Sequence, residues 1–308
     1  MILIILCHLF QFYDNEICKW LNVGVQLFFV ISGWLYSTKQ IDNPILFIIH
    51  SFRKILVPYW IFLTISIILY LIFFPNYIST TDIVLAIFCA GTIKGLGHLW
   101  FVGYILFCYL LTPYLYWLKK YLENQYLIKS LIIYFIIFVL VQILGFAFHS
   151  YFVPYRVSCF IIGYFIGDIE LKITSKMKCK MVISIVIFAL IMNIARIFLR
   201  YMVDGRFDGP ILTVFVLYSH MLLGIALFLF LKELLKHLKY STILYWSDNI
   251  SYHFYLVHVF FILSPFTLMN YCSISSLNWL IVILSSVTFA CCLRRIDQGV
   301  SKVFDSRK

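Results

Sequence analysis

LNVGVQLFFVISGWLYS, residues 21–37, follows ILCHLF, residues 5–10, which carries His8. The longer run is apolar almost throughout, yet Gln26, Ser32 and Gly33 stand in its middle. A span that only dissolved in lipid would gain nothing from an amide, a hydroxyl and a glycine there, because polar groups in hydrocarbon need protein partners. An ionisable group inside an apolar stretch, as His8 is, is costly and is a functional-site candidate by default. The two stretches therefore read as neighbouring membrane helices that set a histidine and a close-packed Ser-Gly turn beside a buried cavity.

The rest of the chain has the same character. Of its 308 residues 63% are hydrophobic and 12% charged, against about 45–50% and about 25% in ordinary globular domains. This is the composition of an all-α polytopic membrane protein, read as a single domain over 1–308. Its 31 Phe and 22 Tyr suit rings at lipid interfaces and between helices. The formal charge of +11 is spread over short loops rather than gathered on one face or in one tail, which argues for topology control and against a nucleic-acid partner. The nine cysteines are scattered without a CxxC or a Cys/His cluster, so neither a zinc site nor a disulfide framework is expected.

A span needs about 20 apolar residues. Ten candidates follow: Met1–Phe12, Leu21–Thr38, Ile55–Phe74, Leu99–Leu118, Leu127–Phe148, Tyr151–Gly167, Met181–Leu199, Ile211–Leu231, Ser251–Met269 and Leu277–Leu293. Ile83–Ile93 is apolar but short and reads as a re-entrant or interfacial segment. With both termini cytoplasmic, Lys19, Lys94, Arg200 and Arg206 fall in outer loops and Arg156 and Arg196 within spans. The remainder of the 24 Lys and Arg lie on the inside, an alternation that supports the parsing and a place in the inner (plasma) membrane. Met1–Phe12 reaches only about 18 Å, short of a hydrocarbon core of about 30 Å, so the first span is expected to begin upstream of Met1.

Polar groups at membrane depth are few. His8 is either a histidine bonded to a neighbouring helix or a general base, since its ordinary pKa lies near neutrality. Arg53 and Lys54 precede ILVPYW, residues 55–60, at the inner mouth of the third span. They are a positive-inside flank or an anion site. Pro58 falls early in that span, where it is tolerated. His98 and Trp100 open the fourth span as an interfacial anchor or the rim of a cavity. Arg156 either snorkels or binds within the bundle. Ser251, Tyr255 and His258 are three and four residues apart on one helical face, a polar stripe that points inward and is more often packing than catalysis. Carboxylates are scarce at depth, which disfavours an ion-coupled pump. No Ser/His/Asp triad, HExxH or Walker loop is present.

In order and spacing these pieces resemble one family. ILCHLF, GVQLFFVISGWLYS, the basic pair before ILVPYW, HLWFVGYILFCYLLTP at 98–113, YRVSCFIIGYFIG at 155–167 and NISYHFYLVH at 249–258 are similar to the acyltransferase-3 family, membrane acyltransferases of about ten spans. The resemblance covers nearly the whole chain, and its motifs are specific in combination rather than singly. It implies O-acetylation of a sugar hydroxyl on a surface polysaccharide or lipid-linked saccharide, with cytoplasmic acetyl-CoA as donor and no bound cofactor or metal. His8 matches the family's essential first-span histidine, and Arg53 and Lys54 fall near its paired arginines. The family's basic residue upstream of the histidine would here precede Met1. On this reading acetyl-CoA docks at the basic inner mouth, and Gln26, Ser32, Gly33, His98, Trp100, Arg156, Ser251, Tyr255 and His258 line the cavity. A transporter or flippase for a saccharide or acyl substrate is the alternative from another class, and a degenerate assembly scaffold a third.

Overall fold

A computed structural model describes residues 1–147, 153–170, 172–202, 210–236, 239 and 241–305. The secondary structure among them is helical, with no strand. In chain order the helices are α1 (Ile2–Phe12), α2 (Cys18–Leu21), α3 (Val23–Ser37), α4 (Pro44–Phe73), α5 (Thr80–Ile87), α6 (Trp100–Leu122), α7 (Leu127–Ala147), α8 (Pro154–Ile169), α9 (Ser175–Met202), α10 (Pro210–Leu235), α11 (Thr242–Val257) and α12 (Ser275–Asp305). Seven are long and apolar enough to cross a membrane, counting α2 and α3 as one. Over the described residues nine of the ten expected spans fall on one helix each, of which α1 and α8 are short, and Ser251–Met269 is the exception.

Two expectations need correction. Ser251–Met269 is not one continuous span: α11 ends at Val257, a 3-10 turn covers His258–Phe261, and irregular chain follows. Pro58 is not early in its helix, because α4 begins at Pro44 and carries it in the interior. There it deprives the Lys54 carbonyl of its intrahelical donor.

Contacts group the chain into two compact units, Met1–Leu21 with Ile45–Tyr109 and Lys239–Lys308, and Asn22–Pro44 with Leu110–Leu238. In the first, the short α5 starts at Ser79, whose hydroxyl accepts from the Asp82 amide. Its end is tied to α4, where Tyr59 donates to the Ala86 carbonyl at 2.6 Å and Trp60 to that of Ile87 at 3.0 Å. Tyr252 donates to the Ile55 carbonyl at 3.0 Å, and Arg53 to that of Ser301 at 2.6 Å, which joins α4 to α11 and α12.

The second unit rests on small residues. A Cβ at Gly33 of α3 would land on the Phe160 carbonyl of α8, and one at Gly163 of α8 on the Val30 carbonyl of α3. Without those side chains the two backbones approach closely, as small residues allow in membranes. Charges are paired at one end of this unit: Asp168, 2% exposed, accepts from Tyr134 and meets Lys172 at 3.1 Å, and Glu170 meets Lys232.

Candidate functional site

A side chain bonds back onto the last turn of α11, where the helix ends at Val257. His258 donates from Nδ1 to the Tyr255 carbonyl at 2.8 Å and the Phe254 carbonyl at 3.2 Å. The Phe254 carbonyl also accepts from the His258 backbone amide, so the ring adds a second donor to the last turn of α11. The carbonyls freed beyond it are answered locally. Ser264 donates to Phe260, Thr267 to Ile262 at 2.8 Å, and Asn278 to Met269 at 2.7 Å and Cys272 at 2.8 Å. Irregular backbone at membrane depth is tolerated only where protein or a cavity satisfies it in this way.

The 3-10 turn Gly97–Leu99, just before α6, is clasped to the same place from both sides. His98 donates from Nε2 to the Leu256 carbonyl at 3.0 Å, and Tyr255 donates its hydroxyl to the His98 carbonyl at 2.5 Å. His8 of α1 completes the group and donates from Nδ1 to Oε1 of Gln11, one turn on, at 2.9 Å. Ring centres of His8 and His258 are 5.3 Å apart, those of His98 and His258 5.4 Å, and those of His8 and His98 6.4 Å. His258 is 0% exposed and His98 6%. His98 Nδ1 and His258 Nε2 are buried without a partner.

Of the residues singled out in the sequence, the fold brings together His8, His98, Tyr255 and His258, which are distant along the chain. Ser251 turns away to donate to the Asp248 carbonyl at 2.8 Å. Trp100 packs on Tyr104, Arg53 is bonded to Ser301, and Lys54 is exposed. Gln26, Ser32, Gly33 and Arg156 belong to the second unit. There Gln26 is buried on the α3 face that Gly224 approaches, and Gly33 makes the α3–α8 contact. Arg156 lies within 3.4 Å of the Tyr155 hydroxyl.

Two features went unread. Gln11 is the partner of His8, and its spacing of three on a helix was the available signal. His253 meets Asp297 at 3.1 Å, a pairing between distant positions that no local pattern records.

Three imidazoles this close together suit proton transfer or attack on a carbonyl carbon. Among the described residues no three His, Cys, Asp or Glu side chains are arranged to hold a metal ion. A family model described as an acyltransferase domain matches residues 1–295. No curated protein and no solved structure matches the chain.

Proposed function

The chain belongs to the acyltransferase-3 family and is a polytopic membrane acyltransferase, and from that premise we propose that it transfers an acetyl group from cytoplasmic acetyl-CoA to a sugar hydroxyl of a bacterial surface polysaccharide or its lipid-linked precursor. The observation that carries this reading is the meeting of His8 with His98 and His258 where α11 ends. The protein sits in the inner membrane with both termini cytoplasmic, so Arg53 and Lys54 face the donor's phosphates.

His8 is the general base. It removes the hydroxyl proton as the oxygen attacks the thioester carbonyl, and the tetrahedral intermediate collapses with loss of the thiolate. The thiolate takes the proton, giving an O-acetyl ester and free coenzyme A thiol. No resident cofactor takes part.

The test uses vesicles from cells expressing the chain, supplied with acetyl-labelled acetyl-CoA and their own glycan as acceptor. His8→Ala should lower label transfer by at least about 100-fold while the protein stays folded in the membrane. Transfer that survives this change removes His8 from the mechanism. Label or saccharide crossing the membrane without thiol release would favour a transporter.

A further inference from the structure

The hydrogen bonds of the three histidines fix where their protons are. A carbonyl oxygen only accepts, so His98 carries its hydrogen on Nε2 and His258 carries its own on Nδ1. His8 Nδ1 meets the Gln11 side-chain oxygen at 2.9 Å, and with that oxygen as acceptor it carries its hydrogen on Nδ1 as well. In the neutral cluster the remaining nitrogens, His8 Nε2, His98 Nδ1 and His258 Nε2, therefore all bear lone pairs. Two of them are buried with no donor to meet. Three acceptors have been gathered without a proton among them, and a buried lone pair left unanswered is costly.

His258 stands between the other two. Two imidazoles joined by an N–H···N bond of about 2.9 Å have ring centres about 5 Å apart, and the separation of His8 and His258 is 5.3 Å. His98 is farther from His8, at 6.4 Å. The titratable groups against His258 are His8 from α1, His98 from the 3-10 turn before α6, and Tyr255 from its own helix. No carboxylate bonds to any of the three rings among the described residues, so an imidazolium formed here has imidazole lone pairs as its neighbours in place of a counter-ion.

We infer that His258 shares, through Nε2, the proton that His8 takes from the acceptor hydroxyl. This rests on the acyl-transfer reading above. The O–H bond of the acceptor breaks as its oxygen bonds the acetyl carbon, and the proton is held as N–H⁺···N between His8 and His258. When the C–S bond breaks the proton goes to sulfur, and both rings return to neutral. His258 acts on the reaction through His8 and positions the proton rather than the substrate.

The same vesicles decide it. In single turnovers at saturating acetyl-CoA, His258→Gln keeps the shape but cannot hold a proton. Its transfer rate should fall by at least about 30-fold, with the KM for acetyl-CoA unchanged within about twofold. Added imidazoles should restore His258→Ala in proportion to their basicity, which a packing role would not produce. Should both variants fail to fold, nitrogen-15 NMR of the labelled wild-type histidines through an acid titration gives the answer. Ring nitrogens of His8 and His258 that shift together as one proton is taken up support sharing, and a His8 shift with His258 unmoved overturns it. A His258→Gln rate within about threefold of wild type, or a rescue indifferent to basicity, also overturns it. Loss of transfer in His8→Ala with retention in His258→Gln removes this inference alone. Retention in His8→Ala, or no transfer by the wild type, removes the functional reading beneath it.

Discussion

Gly33→Ala sets two opposed effects against each other at one atom. In an open helix position alanine is better than glycine by about 1 kcal/mol. At Gly33 the new Cβ would meet the Phe160 carbonyl, whose carbon lies 2.8 Å away, and the Tyr164 amide nitrogen at 2.9 Å. Ordinary contact begins near 3.4 Å, so α3 must retreat from α8 by at least about half an ångström, a gap that already forfeits a quarter or more of each dispersion contact. Both sides are backbone and cannot rotate away. Overpacking costs about 1–3 kcal/mol, and the upper half of that range outweighs the propensity gain by roughly 1–2 kcal/mol. At about 2–4 °C per kcal/mol for chains somewhat shorter than this one, the midpoint should fall by about 3–6 °C. Gly163→Ala, aimed at the Val30 backbone, should behave alike. Gly299 in α12 has nothing within 4 Å, so Gly299→Ala should raise the midpoint by about 2 °C. Melting in detergent, followed by gel filtration of a fluorescent fusion, measures all three. A Gly33→Ala protein that melts at or above the wild type would refute the close-approach argument.

Other consequences are equally open to measurement. Asp168→Asn leaves Lys172 without its buried carboxylate and should destabilise by about 3–5 kcal/mol; in Asp168→Asn with Lys172→Met most of that loss should return. Asn278→Ala removes an amide that binds Met269, Cys272 and the Cys272 amide at once. Amide exchange in residues 268–274 should quicken by at least about tenfold as the loop loses roughly 1.5 kcal/mol or more. Burial pushes the Cys89 thiol, in the turn after α5, up to about 11. The thiolate is the reactive form. Its alkylation should therefore be slow at pH 8 and climb about tenfold per pH unit until near 11, and a plateau by pH 9 would contradict that burial.

Helix positions were legible because apolar runs of span length, separated by basic loops, allow few other parsings. Four members of the histidine cluster were legible for a simpler reason, since an imidazole or a phenol in an apolar run stands out. Their convergence was not. Ser251–Met269 is apolar enough on average to pass for one span, and hydropathy does not register where within it the helix ends. Asp168 escaped notice because it lies one residue past the expected end of its span at Gly167. Arg53 read as an anion ligand, whereas its guanidinium also bonds the carbonyl of Ser301, a contact 248 residues away. Gly33 read as part of a close-packed Ser-Gly turn beside a cavity, and which backbone it packs against, that of Phe160, was not in the sequence to read.

The way the chain beyond His258 is stitched has a bearing on tolerance to change. Ser264, Thr267 and Asn278 answer the carbonyls there from within the fold, so the shape of a stretch with no regular ladder is entrusted to three short polar side chains. An apolar residue of similar size at any of the three would leave hydropathy almost untouched and strand a carbonyl. Substitutions that look harmless in the sequence are therefore the ones this corner of the fold can least absorb.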